Sequence, residues 1–208
     1  MVGIRIHNRL RGSFRNVLEV AERVSDNNWQ AGHDWYPIAN HIAEDIGKLS
    51  NTNTMSGAGV LAALSPSTSW ENNIAQAHEF MHRGYAPYQS RANNDKARRI
   101  LGGEHPLDVL GGPKVLAFYD AIIEPNNEHS APVLDRHAIA VYMGHSVPDA
   151  SKHIRYIGNK SLPQRQVLGR IEGAYRNAAD DIGVNVHVLQ AATWIQWRED
   201  KIGKGKLL

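Results

Sequence analysis

The chain has 208 residues, 42% hydrophobic and 21% charged, ordinary globular proportions that exclude disorder, collagen-like repeats and coiled coil as its main character. Lys and Arg number 23 against 21 Asp and Glu, with 11 His, a balance that permits a nucleic-acid partner without requiring one. With no cysteine, disulfides, a cysteine nucleophile, thiolate zinc sites and cysteine-ligated iron–sulfur clusters are excluded.

In chain order, the opening Met1–Arg9 is basic with no apolar stretch behind it, so it does not read as a signal peptide. Phe14, Val17, Leu18, Ala21 and Val24 then share one helical face. Trp35, Ile38, Ala39, Ile42, Ala43 and Ile46 do the same, with Gly47 as the expected stop. Met55–Leu64 is a small-residue apolar run ended by Ser65-Pro66-Ser67. Ser67 or Ser69 can cap a helix over Trp70–His82. Polar, proline-containing Arg83–Asn94 reads as a loop, and Asp95 as the cap of a helix over Lys96–Leu101.

After Pro106 a short turn leads to Gly111-Gly112-Pro113, which places Pro113 at the first position of a helix ending at Ile123. That helix is apolar nearly all round, hence buried. Further helices are expected over Leu134–Met143, Gln164–Ile182 and Val188–Trp197, the last followed by a fraying Lys/Gly tail. Val184–Val188 alternates like a strand but has no partner strand, so it reads as the lead-in to the last helix. The expectation is one all-α domain, residues 1–208, of about eight to ten helices.

The stretch Leu107–Gly144 carries the most chemistry. A Gly111-Gly112 turn lets backbone N–H groups approach an anion, and Lys114 stands in the first turn of the helix that follows. Such a lysine can contact phosphate or act as an amine nucleophile. Asp135, in Leu134-Asp135-Arg136-His137, precedes a helix and can serve as its cap or as a reacting carboxylate.

The order of short motifs adds to this. Val60–Trp70 (VLAALSPSTSW) is similar to an apolar helix ending in Leu-Ser-x-x-Thr, and Asn73, Ala75 and Ala77 follow on the next helix. Lys96-Ala97-Arg98-Arg99-Ile100 is similar to a Lys-Ala-x-x-Ile helix, and Gly112-Pro113-Lys114-Val115 to the end of a Leu-Pro-Gly-x-Gly-x-Lys hairpin. Leu134-Asp135-Arg136-His137 is similar to Val-Asp-Thr-His. Over about residues 58–144 the chain thus resembles the helix–hairpin–helix DNA glycosylase superfamily, with residues 1–57 and 145–208 as flanking helices.

The resemblance implies a DNA-base-acting enzyme with Asp135 and Lys114 catalytic. It implies nucleic-acid contacts through Gly111, Gly112, Ser65, Ser67, Trp70, Asn73, Lys96, Arg136 and His137. The hairpin, Val109-Leu110-Gly111-Gly112-Pro113, is shorter than the family's and lacks its Leu-Pro-Gly. The flanks, with Trp35-Tyr36 early and Gln190–Arg198 late, resemble a phage-encoded group of this fold. Some of its members transfer amines or amino acids onto activated hydroxymethyl pyrimidines.

The implied partners are DNA and, for the transferase, a small-molecule amine, with no cofactor. An inactive DNA-binding module is the third reading. No uncharged apolar run reaches the roughly 18 residues that cross a bilayer, so no membrane contact and a cytoplasmic location, the host's if phage-encoded, are expected.

Trp70, Trp194 and Trp197 suit either base stacking or core packing. Arg83, Arg91, Lys96, Arg98 and Arg99 suit either a phosphate-binding face or solvated surface. A competing reading is His78-Glu79-Phe80-Met81-His82, which fits the His-Glu-x-x-His pattern of a zinc metallopeptidase. It lacks a well-placed third ligand: Tyr88 stands where a histidine is wanted, and Glu104 lies in a loop. His41 and Glu44 read as a surface pair.

Overall fold

The computed structural model describes residues 13–127, 129–147 and 164–205, so the Met1–Arg9 segment lies outside it. The described residues form ten α-helices and no strand: α1 (Phe14–Ala21), α2 (Asp26–Leu49), α3 (Thr54–Ala63), α4 (Trp70–Arg83), α5 (Arg91–Leu101), α6 (Pro106–Val109), α7 (Pro113–Ile123), α8 (Arg136–Met143), α9 (Gln164–Ile182) and α10 (Val186–Gly205). The chain is all-α. It divides into two compact units, Tyr36–Ser130 and the pair of segments Met1–Trp35 and Ala131–Leu208. The interval 58–144 coincides with neither.

In Tyr36–Ser130 the organising element is α3. Its sequence, TMSGAGVLAA, is apolar on every side, and residues from Gly57 to Ala63 are all buried, because α4, α5, α6 and α7 pack around it. Gly57 is required there: a Cβ would run into the Ala43 carbonyl of α2. Asn53 caps α3, accepting from Ser56 N–H at 3.0 Å, and Ser69 caps α4 in the same way. Gly84, at φ 71°, ends α4 in the left-handed conformation that glycine adopts without strain.

Three boundaries differ from the sequence reading. Gly47 does not end its helix, which runs on to Leu49; the glycine is used for a close approach, since a Cβ would meet the Asn53 carbonyl. Helix α2 also begins nine residues before Trp35, at Asp26, and runs through Pro37. Asp95 is not a cap. Helix α5 starts at Arg91, with Ser90 accepting from Asn93 N–H at 3.2 Å.

The reason for the earlier start is Asn94, which is buried inside α5 and ties down the preceding loop. Its Oδ1 accepts from Ala86 N–H at 2.6 Å, and its Nδ2 donates to the carbonyls of Ala86, Gln89 and Ser90. A polar loop that looks unstructured by composition is therefore fastened to the helix behind it.

The second unit is built from α1, α8, α9 and α10, with the first turns of α2. Val17 and Val20 of α1, Ile139 and Val141 of α8, Val167, Ile171 and Tyr175 of α9, and Leu189 of α10 share one core. Fully buried Tyr175 donates its hydroxyl to the Ala138 carbonyl at 3.0 Å, which satisfies its polar end.

Gly32 of α2 faces α10 so closely that a Cβ would lie 2.7 Å from Ala192 Cβ. The same crossing is fixed by Asn28, whose Nδ2 donates to Gln196 Oε1 at 3.1 Å and Glu199 Oε2 at 2.7 Å. Val184 and Asn185 lead into α10, as the sequence reading has it. The tail is helical to Gly205, well past Trp197.

Candidate functional site

Asp135 is the cap of α8. Its Oδ1 accepts from the backbone N–H groups of His137 and Ala138, both at 2.8 Å. Extended backbone at Asp135 (φ −85°, ψ −176°) turns the side chain over the first helical turn, the arrangement that satisfies orphan N–H donors.

A cap needs only one carboxylate oxygen. The other, Oδ2, accepts from the indole N–H of Trp194 at 2.9 Å. Three donors therefore fix the plane of the carboxylate, while Oδ2 keeps a second lone-pair direction for another group.

Trp194 is the centre of an aromatic cluster. Trp35 lies 5.1 Å away between ring centroids at 56°, and His137 lies edge-on at 5.9 Å. The guanidinium of Arg198, one helical turn further along α10, stacks over the Trp194 ring at 4.4 Å. Lys201 follows, with its ammonium 5.0 Å from the Trp197 ring and bonded to Ser146 Oγ. Arg136 projects outward from the first turn of α8, its Nη2 3.4 Å from His137 Nε2.

Burial holds the His137 imidazole below its usual range. Asp135 opposes that shift, while Arg136, Arg198 and Lys201 push the same way as burial.

Of the residues singled out in the sequence, Asp135, Arg136 and His137 are brought together in this unit. Lys114, Gly111, Gly112, Ser65, Ser67, Trp70, Asn73 and Lys96 belong to Tyr36–Ser130. There, α6, Leu110-Gly111-Gly112 and α7 form a short helix, a hairpin and a second helix, with Gly112 at φ 85° and Pro113 at the first helical position. Both glycines are exposed, and Lys114 is half-buried in the first turn of α7.

Ser65 and Asn73 are interior. Ser65 Oγ donates to the Ala62 carbonyl and Asn73 Nδ2 to the Leu61 carbonyl, so both side chains serve the packing of α3. Ser67 is an exposed turn residue at φ 60°. Trp70 packs edge-on against Phe118 at 6.0 Å, in line with the core-packing reading of its aromatic ring.

The arginines of α4 and α5 are largely matched by carboxylates. Arg83 pairs with Glu79 at 2.8 Å, Arg98 with Asp95 at 2.5 Å, and Arg99 with Glu104 through two bonds of 2.8 and 2.6 Å. Glu79, the glutamate of the His-Glu-x-x-His reading, is thus paired with Arg83. The described residues contain no group of three or more His, Asp or Glu placed to hold a metal ion. His41 is exposed and Glu44 pairs with Lys48 at 2.7 Å. Among the described residues no helix is long and apolar enough to cross a membrane.

Trp194, Arg198, Trp35 and Lys201 complete the Asp135 site, and spacing alone did not join them to it. The available signal was the i, i+4 spacing of Trp194 and Arg198, which the helix expected over Val188–Trp197 stopped one residue short of using.

The fold and site define an all-α protein with an oriented carboxylate set against a tryptophan–histidine–arginine cluster. Residues 6–201 match DUF7178, a family of unknown function, and the chain belongs to that family. No curated protein and no solved structure matches the chain.

Proposed function

We propose that this protein is an enzyme of the helix–hairpin–helix glycosylase kind that acts on a flipped base of DNA, with Asp135 as its reacting carboxylate. The observation that carries the reading is the Trp194 indole bond to Asp135 Oδ2. Asn, Ser and Thr cap helices equally well without a charge, and a cap has no use for a third donor from a separate helix. A carboxylate aimed by three donors and walled by Trp35, Trp194 and His137 is the preorganisation that base chemistry needs.

A base turned out of the stack costs a few kcal/mol and finds compensation in stacking on aromatic or guanidinium planes. In excision, water adds to the anomeric carbon as the bond to the base breaks. The base leaves with the electron pair, and Asp135 accepts the proton of the attacking water. The same carboxylate can oppose positive charge developing on the sugar. In a transfer reaction the amine nitrogen bonds to the activated hydroxymethyl carbon as pyrophosphate leaves with the C–O electron pair, and Asp135 accepts the proton that the amine gives up. Lys114 enters on the resemblance alone, as a phosphate contact or an amine nucleophile.

The test is incubation of the purified protein with DNAs of varied base content, including hydroxymethyluracil and its pyrophosphorylated form, followed by mass spectrometry of the nucleosides. Free base marks excision; an intact sugar–base bond with added amine mass marks transfer. No change with any of these DNAs overturns the reading.

A further inference from the structure

Two arginines, Arg136 and Arg198, border the Asp135 site. Arg136 Nη2 lies 3.4 Å from His137 Nε2, and the Arg198 guanidinium sits 4.4 Å over the Trp194 ring that His137 meets edge-on, so the two cations flank one ring pair. Their setting differs from that of five arginines elsewhere in the chain. Arg23, Arg83, Arg98, Arg99 and Arg176 each lie within 3.2 Å of a carboxylate oxygen. Among the described residues no carboxylate pairs with Arg136 or Arg198.

The two acids that follow Arg198 are turned away. Glu199 bonds to Asn28, and Asp200 to Arg23 and Gln196.

The position of Arg136 is unfavourable for the fold alone. It stands at the first residue of α8, where the helix dipole repels a cation, and its neighbour is the half-buried His137. The Arg198 guanidinium carbon lies 4.4 Å over the Trp194 ring, which places its charge beside the cluster before any ligand arrives. Surface arginines kept only for solubility have no need of either feature.

We infer that Arg136 and Arg198 form a binding site for a phosphoryl group next to Asp135, gripping a phosphate that the substrate carries. Two sources share this chemistry: the DNA phosphate beside the flipped nucleotide, and a pyrophosphate on an activated base. The inference rests on the reading of Asp135 as the reacting group for its meaning. Binding is measured without turnover, so its failure and that of the enzymatic reading are separable.

The experiment is calorimetric titration of the full chain with inorganic pyrophosphate and with a short thymidine oligonucleotide, over a range of salt. Arg198→Gln and the exposed Arg136→Gln are compared with Lys48→Gln, which removes the same charge in the other unit. Each site variant is expected to weaken binding about tenfold or more, the size of a lost charge-assisted hydrogen bond. Lys48→Gln should bind as the wild type does.

Pyrophosphate bound and not displaced by the oligonucleotide identifies the activated base as the source. Oligonucleotide bound without pyrophosphate, with a salt slope reduced by about one in each variant, identifies the backbone phosphate. Wild-type affinity in both site variants, an equal loss in Lys48→Gln, or no binding of either probe overturns the inference. Because Arg136 is exposed, its variant remains informative if Arg198→Gln does not fold.

Discussion

At Asp135 the structural and chemical roles can be separated by one atom. Asparagine caps a helix about as well as aspartate, but with its oxygen on the cap its Nδ2 would face the Trp194 indole N–H that Oδ2 now accepts, so Asp135→Asn should keep the cap, lose the Trp194 bond and destabilise the protein by about 1–3 kcal/mol in a denaturant titration. It cannot accept a proton or oppose positive charge, and turnover should fall about a hundredfold or more. Asp135→Ala should lose the cap as well and cost about 1 kcal/mol more than the asparagine variant, read by the same titration. An Asn variant of full activity would reduce Asp135 to a cap. Lys114→Ala distinguishes its two roles in the same manner. Loss of DNA affinity marks a phosphate contact, whereas loss of borohydride-trapped complex with affinity intact marks a nucleophile.

Between elements, α2 approaches α10 closely at Gly32, where an added Cβ would lie 2.7 Å from Ala192 Cβ. In an isolated helix Gly→Ala stabilises by up to about 1 kcal/mol. Here the added methyl would meet both the Cβ and the backbone of Ala192, neither of which is the movable end of a side chain. Overpacking should therefore win, and Gly32→Ala is expected to cost about 1–3 kcal/mol in a thermal or denaturant melt. An unchanged or raised melting temperature would show that the two helices separate freely.

Element ends divide in the same way between local and distant causes. Ser69, Pro113 and Asp135 set their boundaries through bonds or dihedrals within a turn, so they were legible in the sequence. Gly47 and Asp95 misled because Asn53 and Asn94, acting through packing and loop contacts, decide where those helices stop and start.

For the molecule as a whole, His187 links stability to pH. It is 1% exposed, and burial, aided by Arg176, pushes its imidazole down to about 4 from an ordinary 6.5. The folded state thus holds the neutral ring, while the unfolded chain takes up a proton below about 6.5. Stability from this residue is complete above that value and is lost as pH falls towards 4, by about 3 kcal/mol in all at about 1.4 kcal/mol per tenfold change. Melting temperatures measured between pH 7 and 4.5 should fall more steeply for the wild type than for His187→Gln. Equal slopes would remove His187 as the cause.

The sequence by itself determined the helical class, most helix positions, the Gly-Gly hairpin and the pairing of Asp135 with the start of α8. These follow from periodicity, caps and turn residues, which act within a few positions of each other. It also carried the resemblance on which a DNA-base chemistry is proposed. Only the tertiary structure decided which residues stand around Asp135. Trp194 is 59 positions away along the chain, and α10 brings its indole to the carboxylate through the packing of α8, α9 and α10. It likewise turned Ser65 and Asn73 inward and gave Arg83, Arg98 and Arg99 their carboxylates. Burial and charge balance depend on neighbours from distant segments, and no local pattern records them.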